Sequence, residues 1–441
     1  MNKVLTLILI FFFISGIFTT SFSSVSASSE LVENTWTTET PMSQPRSDLG
    51  VVAVDGKIYA IGGRTDTDFT GTNECYSPAT DTWVTLKSMP TPRGDFIIVS
   101  CQGKIYCIGG VYGAIFPLSI QDLRSLDVVE VYDPVNDVWE SKKSLPVHVE
   151  NDVPAQVVNG QIFIMVPNGA LYIYNPLADK WSTKSSLPGK EEPLQTLVVN
   201  EQFFVITQSA LYMYNPATGK WLNKTSLPNS MSYAFSGVMD NQIVIGDFLL
   251  TQSTETLWSG LFNAQLRVRL YDPASDVWYE GKITDEHIFA TNPIFNAATL
   301  GVTSGVYAPK SVYVLGIEAA KDDLKTVKPF TWRYDPIGDV WSTAKTVDTA
   351  PYIRGCKTVI VNDVFYIIGN IFAEQYVPNG YSATPLSSEP AAPLPSEPAL
   401  SEPFFAKFVV VAIVLITGVI AATYIVFYIR RKKGTRGILC E

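Results

Sequence analysis

The chain has 441 residues, 46% of them hydrophobic and 17% charged, with a formal net charge of −10. That balance is too apolar for a disordered chain and too acidic for a binder of nucleic-acid phosphates, which presents a basic face. Two histidines, His148 and His287, argue against a multi-histidine metal centre.

Residues 1–27 read as a secretory signal. Lys3 precedes the apolar run Val4–Phe18, and Val25-Ser26-Ala27 supplies the small residues of a cleavage site after Ala27. Tryptophans then recur at Trp36, Trp83, Trp139, Trp181, Trp221, Trp278 and Trp341, at gaps of 40 to 63 residues. A period near 50 belongs to repeat arrays. Before most of them stands a tyrosine strand with an Asx-Pro turn, as in Val131-Tyr132-Asp133-Pro134, Ile173-Tyr174-Asn175-Pro176 and Leu270-Tyr271-Asp272-Pro273. Proline presets φ there, and the Asx side chain bonds the backbone ahead of it. A second run also recurs, first as Gly56-Lys57-Ile58-Tyr59-Ala60-Ile61-Gly62-Gly63, then as Gly103-Lys104-Ile105-Tyr106-Cys107-Ile108-Gly109-Gly110.

After the body (28–377) comes a stretch, 378–403, with three Ser-Glu-Pro triplets. Proline favours the extended polyproline conformation, so this reads as a semi-rigid stalk. Phe404–Ile429 is apolar apart from Lys407 and long enough to span a bilayer as a transmembrane helix. Arg430-Arg431-Lys432-Lys433 follows and marks the tail, 430–441, as cytoplasmic. The expectation is a single-pass cell-membrane protein with its body extracellular. Seven of the 32 basic residues, but one of the 42 acidic ones, lie in the signal, span and tail, so the body is more acidic than the whole chain and favours cationic partners.

The body resembles the kelch repeat, in which an arginine, an apolar strand, a strand ending in a glycine pair, a tyrosine strand and a tryptophan strand follow one another. The likeness covers about residues 36–377 and fades in the middle, where Met165-Val166-Pro167 and Ile206-Thr207-Gln208 replace the glycine pair. It implies an all-β fold, a β-propeller of four-stranded antiparallel blades. Six units end in a tryptophan strand. The last lacks one, while Asn34–Thr38 stands alone before the first unit. The expectation is therefore a seven-bladed ring closed by the N-terminal strand, which removes free edges. The alternative is six blades and an irregular unit.

Function should lie in residues that vary between blades. Aligned by their turns, the first three units place Asp48, Asp95 and Asp152 at one position and Arg46, Arg93 and Glu150 two residues earlier. The resemblance puts these at the mouth of a central channel, as an acidic arc flanked by arginines, with Arg354 from the last unit. Three carboxylates could hold calcium or a basic peptide; local turn-capping by each aspartate is the structural alternative. No other cofactor is expected. Arg93-Gly94-Asp95 also spells an adhesion tripeptide, although its arginine falls at the repeat's own arginine position. Three long connections stand out, Val111–Asp127, Phe248–Leu266 and Thr284–Pro309. Trp258, outside the repeat register, is a candidate stacking residue for a sugar or peptide. Asn223-Lys224-Thr225 is a glycosylation sequon. Cys75, Cys101, Cys107 and Cys356 allow three disulfide pairings, between which the sequence does not choose, or free buried thiols.

The reading favoured by these features is a cell-surface recognition module for an extracellular protein, peptide or glycan, rather than an enzyme. A carbohydrate-active enzyme of the sialate-mutarotase type is the alternative, because it would need only an acidic, arginine-bearing channel. A structural surface-layer protein is the third.

Overall fold

In a computed structural model, the residues described are 33–113, 123–149, 153, 155–226, 234–251, 262–285, 288–290, 299–320, 323–346, 357–369 and 372–377. The expected signal (1–27), stalk (378–403), transmembrane helix (404–429) and tail (430–441) lie outside them. Among the described residues no helix is long and apolar enough to cross a membrane.

Among the described residues the first strand is β1 (Thr35–Thr38). Six sheets then follow, each built from neighbouring segments of the chain. They are β2 (Gly50–Val54), β3 (Lys57–Ile61), β4 (Asn73–Ser77) and β5 (Thr82–Leu86); then β6 (Ile97–Cys101), β7 (Lys104–Ile108), β10 (Val129–Asp133) and β11 (Val138–Lys142), with a two-stranded ribbon of β8 (Val111–Tyr112) and β9 (Arg124–Ser125) between β7 and β10. The third and fourth are β12 (Ala155–Val158) to β15 (Lys180–Lys184), through β13 (Gln161–Met165) and β14 (Leu171–Asn175), and β16 (Gln195–Val199) to β19 (Lys220–Asn223), through β17 (Gln202–Ile206) and β18 (Leu211–Asn215). The fifth has β20 (Ala234–Met239), β21 (Gln242–Thr251), β22 (Phe262–Asp272) and β23 (Val277–Ile283), with β24 (Ile288–Ala290) added to β22. The sixth has β25 (Thr299–Val302), β26 (Val312–Ala320), β27 (Asp323–Asp335) and β28 (Val340–Thr343). A further four-stranded sheet joins the two ends of this body: β29 (Lys357–Val361), β30 (Val364–Gly369) and β31 (Phe372–Val377) pair in order, and β1 adds to β31 with Trp36 opposite Tyr376.

Every pairing along these sheets is antiparallel, and the fold is an all-β propeller of four-stranded blades. The core lies in the seams between sheets. Ile58, Ala60 and Tyr76 of the first blade pack on Val364, Tyr366 and Ile368 of the closing sheet. Tyr59, Ile61 and Cys75, on its other side, pack on Ile105, Cys107 and Tyr132 of the second blade. Strand alternation explains this: neighbouring residues point to opposite faces, and both faces of a blade are covered.

Two backbone devices shape each blade. The first two strands are joined by two-residue turns with both residues at positive φ, such as Asp55-Gly56 (49° and 72°) and Asn159-Gly160 (48° and 70°). Such turns match the twist of a tight hairpin. The paired glycines keep adjacent blades in register. A Cβ on Gly62 would lie 2.8 Å from the Arg93 carbonyl oxygen, and one on Gly110 would lie 2.7 Å from that of Gly94.

A polar latch repeats at the outer edge. Tyr132 donates its hydroxyl hydrogen to Asp137 (2.7 Å), Asp137 accepts the Lys87 backbone N–H (2.9 Å), and Trp139 Nε1 donates to the Lys87 carbonyl (2.7 Å). The same triangle is formed by Tyr76, Asp81 and Trp83 on Thr40; Tyr174, Asp179 and Trp181 on Lys143; Tyr271, Asp276 and Trp278 on Thr225; and Tyr334, Asp339 and Trp341 on Lys282. In the closing sheet Asn34 and Trp36 grip Lys345 in the same way, at 2.9 Å each. The tryptophans are thus structural, with ring centroids between 4.8 and 5.2 Å from their tyrosines.

Candidate functional site

In each blade the start of the first strand and the connection from the second strand to the third share one end of the sheet, because the strands alternate in direction. Asp48 and Asp95 lie at that end, and the Asp95 N–H donates to the Asp48 carbonyl at 2.9 Å, tying the first two blades together. Both residues have positive φ, 55° and 48°. Asp48 accepts a bond from Ser47 Oγ (3.1 Å) and pairs with Arg64 (3.3 Å), whose side chain is 40% exposed. Asp48 therefore has the local turn role together with one accessible ion pair. Asp152, the third member of the expected arc, and Glu150, Arg354 and Trp258 lie outside the described residues. Among the described residues no group of three or more His, Cys, Asp or Glu is arranged to hold a metal ion.

The arginines require a correction. Arg46 and Arg93 do not face a channel; their side chains are fully buried within the blades. Arg46 Nη1 pairs with Glu74, and its Nη2 donates to the Ala60 carbonyl at 2.8 Å. Arg93 repeats the arrangement with Glu130 and the Cys107 carbonyl (3.0 Å), and lies 5.4 Å from the centre of the Phe96 ring. Burial pushes the Arg46 pKa down, opposed by its bond to Glu74. A buried guanidinium needs a carboxylate and further acceptors, and here the blade supplies them. The Arg93-Gly94-Asp95 tripeptide consequently offers no free arginine. Glu74 and Glu130 each stand two residues before the repeat tyrosine, a recurrence visible in the sequence that does not by itself name the arginine partner.

Cys75, Cys101 and Cys107 are free and buried, so no disulfide joins them, and Cys356 lies outside the described residues. Burial raises the Cys107 thiol to about 12, with Arg93 opposing, which leaves it unreactive. Asn223 is exposed at the end of β19. The hydroxyl of Thr225, the third residue of its sequon, donates to the Asp276 carbonyl at 2.9 Å.

The same end of the ring carries the longest connections. The β8–β9 ribbon brings Tyr112, 46% exposed, to 6.1 Å from Phe69 of the first blade. The expected Phe248–Leu266 insertion is in part a hairpin extension, with β21 and β22 paired from Phe248–Leu266 to Thr251–Asn263. A second extension, β26 with β27 out to Glu318–Lys328, was not foreseen from the sequence, where it reads as part of the repeat. The opposite end is closed mostly by turns of two or four residues among the described residues.

The Kelch motif model matches residues 45–90 and 92–146. No curated protein sequence matches the chain. Among solved structures it is similar to that of YjhT, at 11% identity and a TM-score of 0.45, over 70% of this chain and 99% of that chain.

Proposed function

The chain is a kelch-repeat β-propeller protein, and on that premise we propose that it is a recognition module displayed outside a cell membrane, a seven-bladed ring on a stalk and a single span. The fold itself suits either a protein-binding or an enzymatic module. The observation that carries the binding reading is the asymmetry of the ring's two ends. The β8–β9 ribbon, both long hairpins, Asp48 and Arg64 gather at one end, while short turns close most of the other. Binding residues concentrate on loops held by a rigid scaffold. The enzyme reading draws on Arg46, Arg93, Glu150 and Arg354; the first two are engaged by glutamates of their own blades, and the other two lie outside the described residues. The seventh blade is supported by β1, whose Asn34 and Trp36 repeat the latch of the other blades.

Two experiments test this. Protease added outside intact cells should cut within residues 378–403 and release the body, while a tag fused after Glu441 stays protected; a body that resists release would remove the display. Peptide and glycan arrays probed with the full-length chain in detergent should give ligands whose signal falls at least tenfold in Arg64→Ala plus Tyr112→Ala. Bare arrays, or ligands indifferent to those changes, would sink this face as the binding surface.

A further inference from the structure

The seam between the fourth and fifth blades holds a buried guanidinium without a hydrogen bond. Arg269, on β22, stands two residues before the repeat tyrosine Tyr271, the position that Glu74 and Glu130 occupy in the first two blades. Its side chain is fully buried, and Nε, Nη1 and Nη2 all lack a hydrogen-bond partner. The nearest carboxylates are 3.6 Å away at Asp247 and 3.5 Å away at Glu280. Asp247 is already held by Arg267 through two bonds, and Glu280 is half exposed. Arg267 and Arg269 thus share Asp247 and Glu280, and the charge is balanced, but no hydrogen-bond acceptor is spent on the Arg269 donors. In the same row of the sheet, Ser236 opposite Ile245 opposite Arg269, the buried Ser236 hydroxyl also lacks a partner.

The first two blades show what this position requires. There the preceding linker supplies an arginine to the blade's glutamate. In the fifth blade the sign is reversed, and the sequence of the linker, 226–233, contains no acid to answer it. Tyr271, Ile243 and Ile245, on the same face as Arg269, pack against Ile206, Leu211 and Met213 of the fourth blade. Asp247 and Glu280 answer its charge at ion-pair distance, but buried donors without an acceptor remain costly, and an acceptor that reaches them is favoured.

We propose that Arg269 forms a subsite for a ligand carboxylate, entered along the seam between the fourth and fifth blades from the end that carries the β21–β22 hairpin. The carboxylate would take the place on this guanidinium that Glu74 and Glu130 take on Arg46 and Arg93. Asp247 sets the selectivity. Lying 3.6 Å from Nη1, it disfavours a second negative charge, so a monoanionic carboxylate is preferred to phosphate. This deepens the recognition-module reading by naming its ligand chemistry, and it rests on that reading for a ligand to exist.

The test is thermal melting of the full-length chain in detergent with glucuronate, N-acetylglutamate amide or inorganic phosphate. One of the two carboxylates should raise the midpoint saturably, which separates a sugar acid from a peptide side chain, and phosphate should not. Arg269→Gln should abolish the shift. Arg269→Lys keeps the charge but loses the planar fork, and should weaken it at least tenfold; it serves if the glutamine variant fails to fold. No shift with either carboxylate, an equal shift with phosphate, or a shift that survives in Arg269→Gln and Arg269→Lys would overturn the site. Array ligands that still bind Arg269→Gln would overturn it too, and leave the recognition module standing.

Discussion

At the residue scale the repeated latch has one broken copy. In the fourth blade Gly219 stands where five other blades carry an aspartate, and the buried Tyr214 hydroxyl has no partner. Trp221 still donates to the Ser185 carbonyl at 2.8 Å, so the backbone frame of the latch is intact. Gly219 has φ 66°, close to the 60° of Asp276 in the fifth blade. A Cβ there would lie 3.8 Å from the Tyr214 oxygen, in open contact. Gly219→Asp should therefore restore the bond and reduce the freedom of the unfolded chain. A gain of about 0.5–1.5 kcal/mol is expected, read as a rise in melting temperature that Tyr214→Phe cancels. A loss of stability would mean that the left-handed geometry here is reserved for glycine.

At the level of elements, β1 is the piece on which closure depends. It contributes four residues to the outer edge of the last sheet, and Trp36 packs with Tyr313, Leu315 and Phe365 across the final seam. Deleting residues 28–38 should leave β31 with an unpaired edge, lower the melting temperature and promote association of copies. Size-exclusion chromatography beside a melt would detect both; a stable monomer would argue that closure does not need β1. This element was legible in the sequence because Trp36 repeats the spacing and residue type of the other tryptophan strands. The ion pairs inside the blades were not. Arg46 reaches Glu74 across 28 residues and Arg93 reaches Glu130 across 37, so no fixed spacing announces the pair. The β26–β27 extension was hidden for a different reason. Its outer pairs, from Ile317–Pro329 to Ala319–Val327, continue the strands without a glycine pair or Asx-Pro turn to mark where the repeat should have ended.

Across the whole molecule the latches make stability depend on pH in both directions. Asp137 and Asp339 are held below the ordinary carboxylate range by backbone N–H donors, from Lys87 and Lys282, and then by their tyrosines; Asp179 is lowered by Tyr174 and then by Lys143. Asp276 is lowered as well, the bonds from Tyr271 and Thr225 outweighing its burial. A depressed carboxylate contributes stability that is present above its unfolded pKa, about 4, and lost as pH falls through the folded value. Tyr76, Tyr132, Tyr174, Tyr271 and Tyr334 are raised, chiefly by burial, so their contribution is lost as pH rises beyond the unfolded value of about 10. Melting temperature should be flat between about pH 5 and 9 and fall on either side. A chain with Asp179→Asn, Asp276→Asn and Asp339→Asn should melt lower at neutral pH and show a shallower acid limb; an unchanged limb would place the acid sensitivity elsewhere. The meeting of β1 with β31 also orders events in time. β1 cannot pair until about residue 377 has been made. Such distant pairing slows folding. It also turns the ring into a test of completeness: a chain broken off before its last strand leaves β1 unpaired and keeps an open edge.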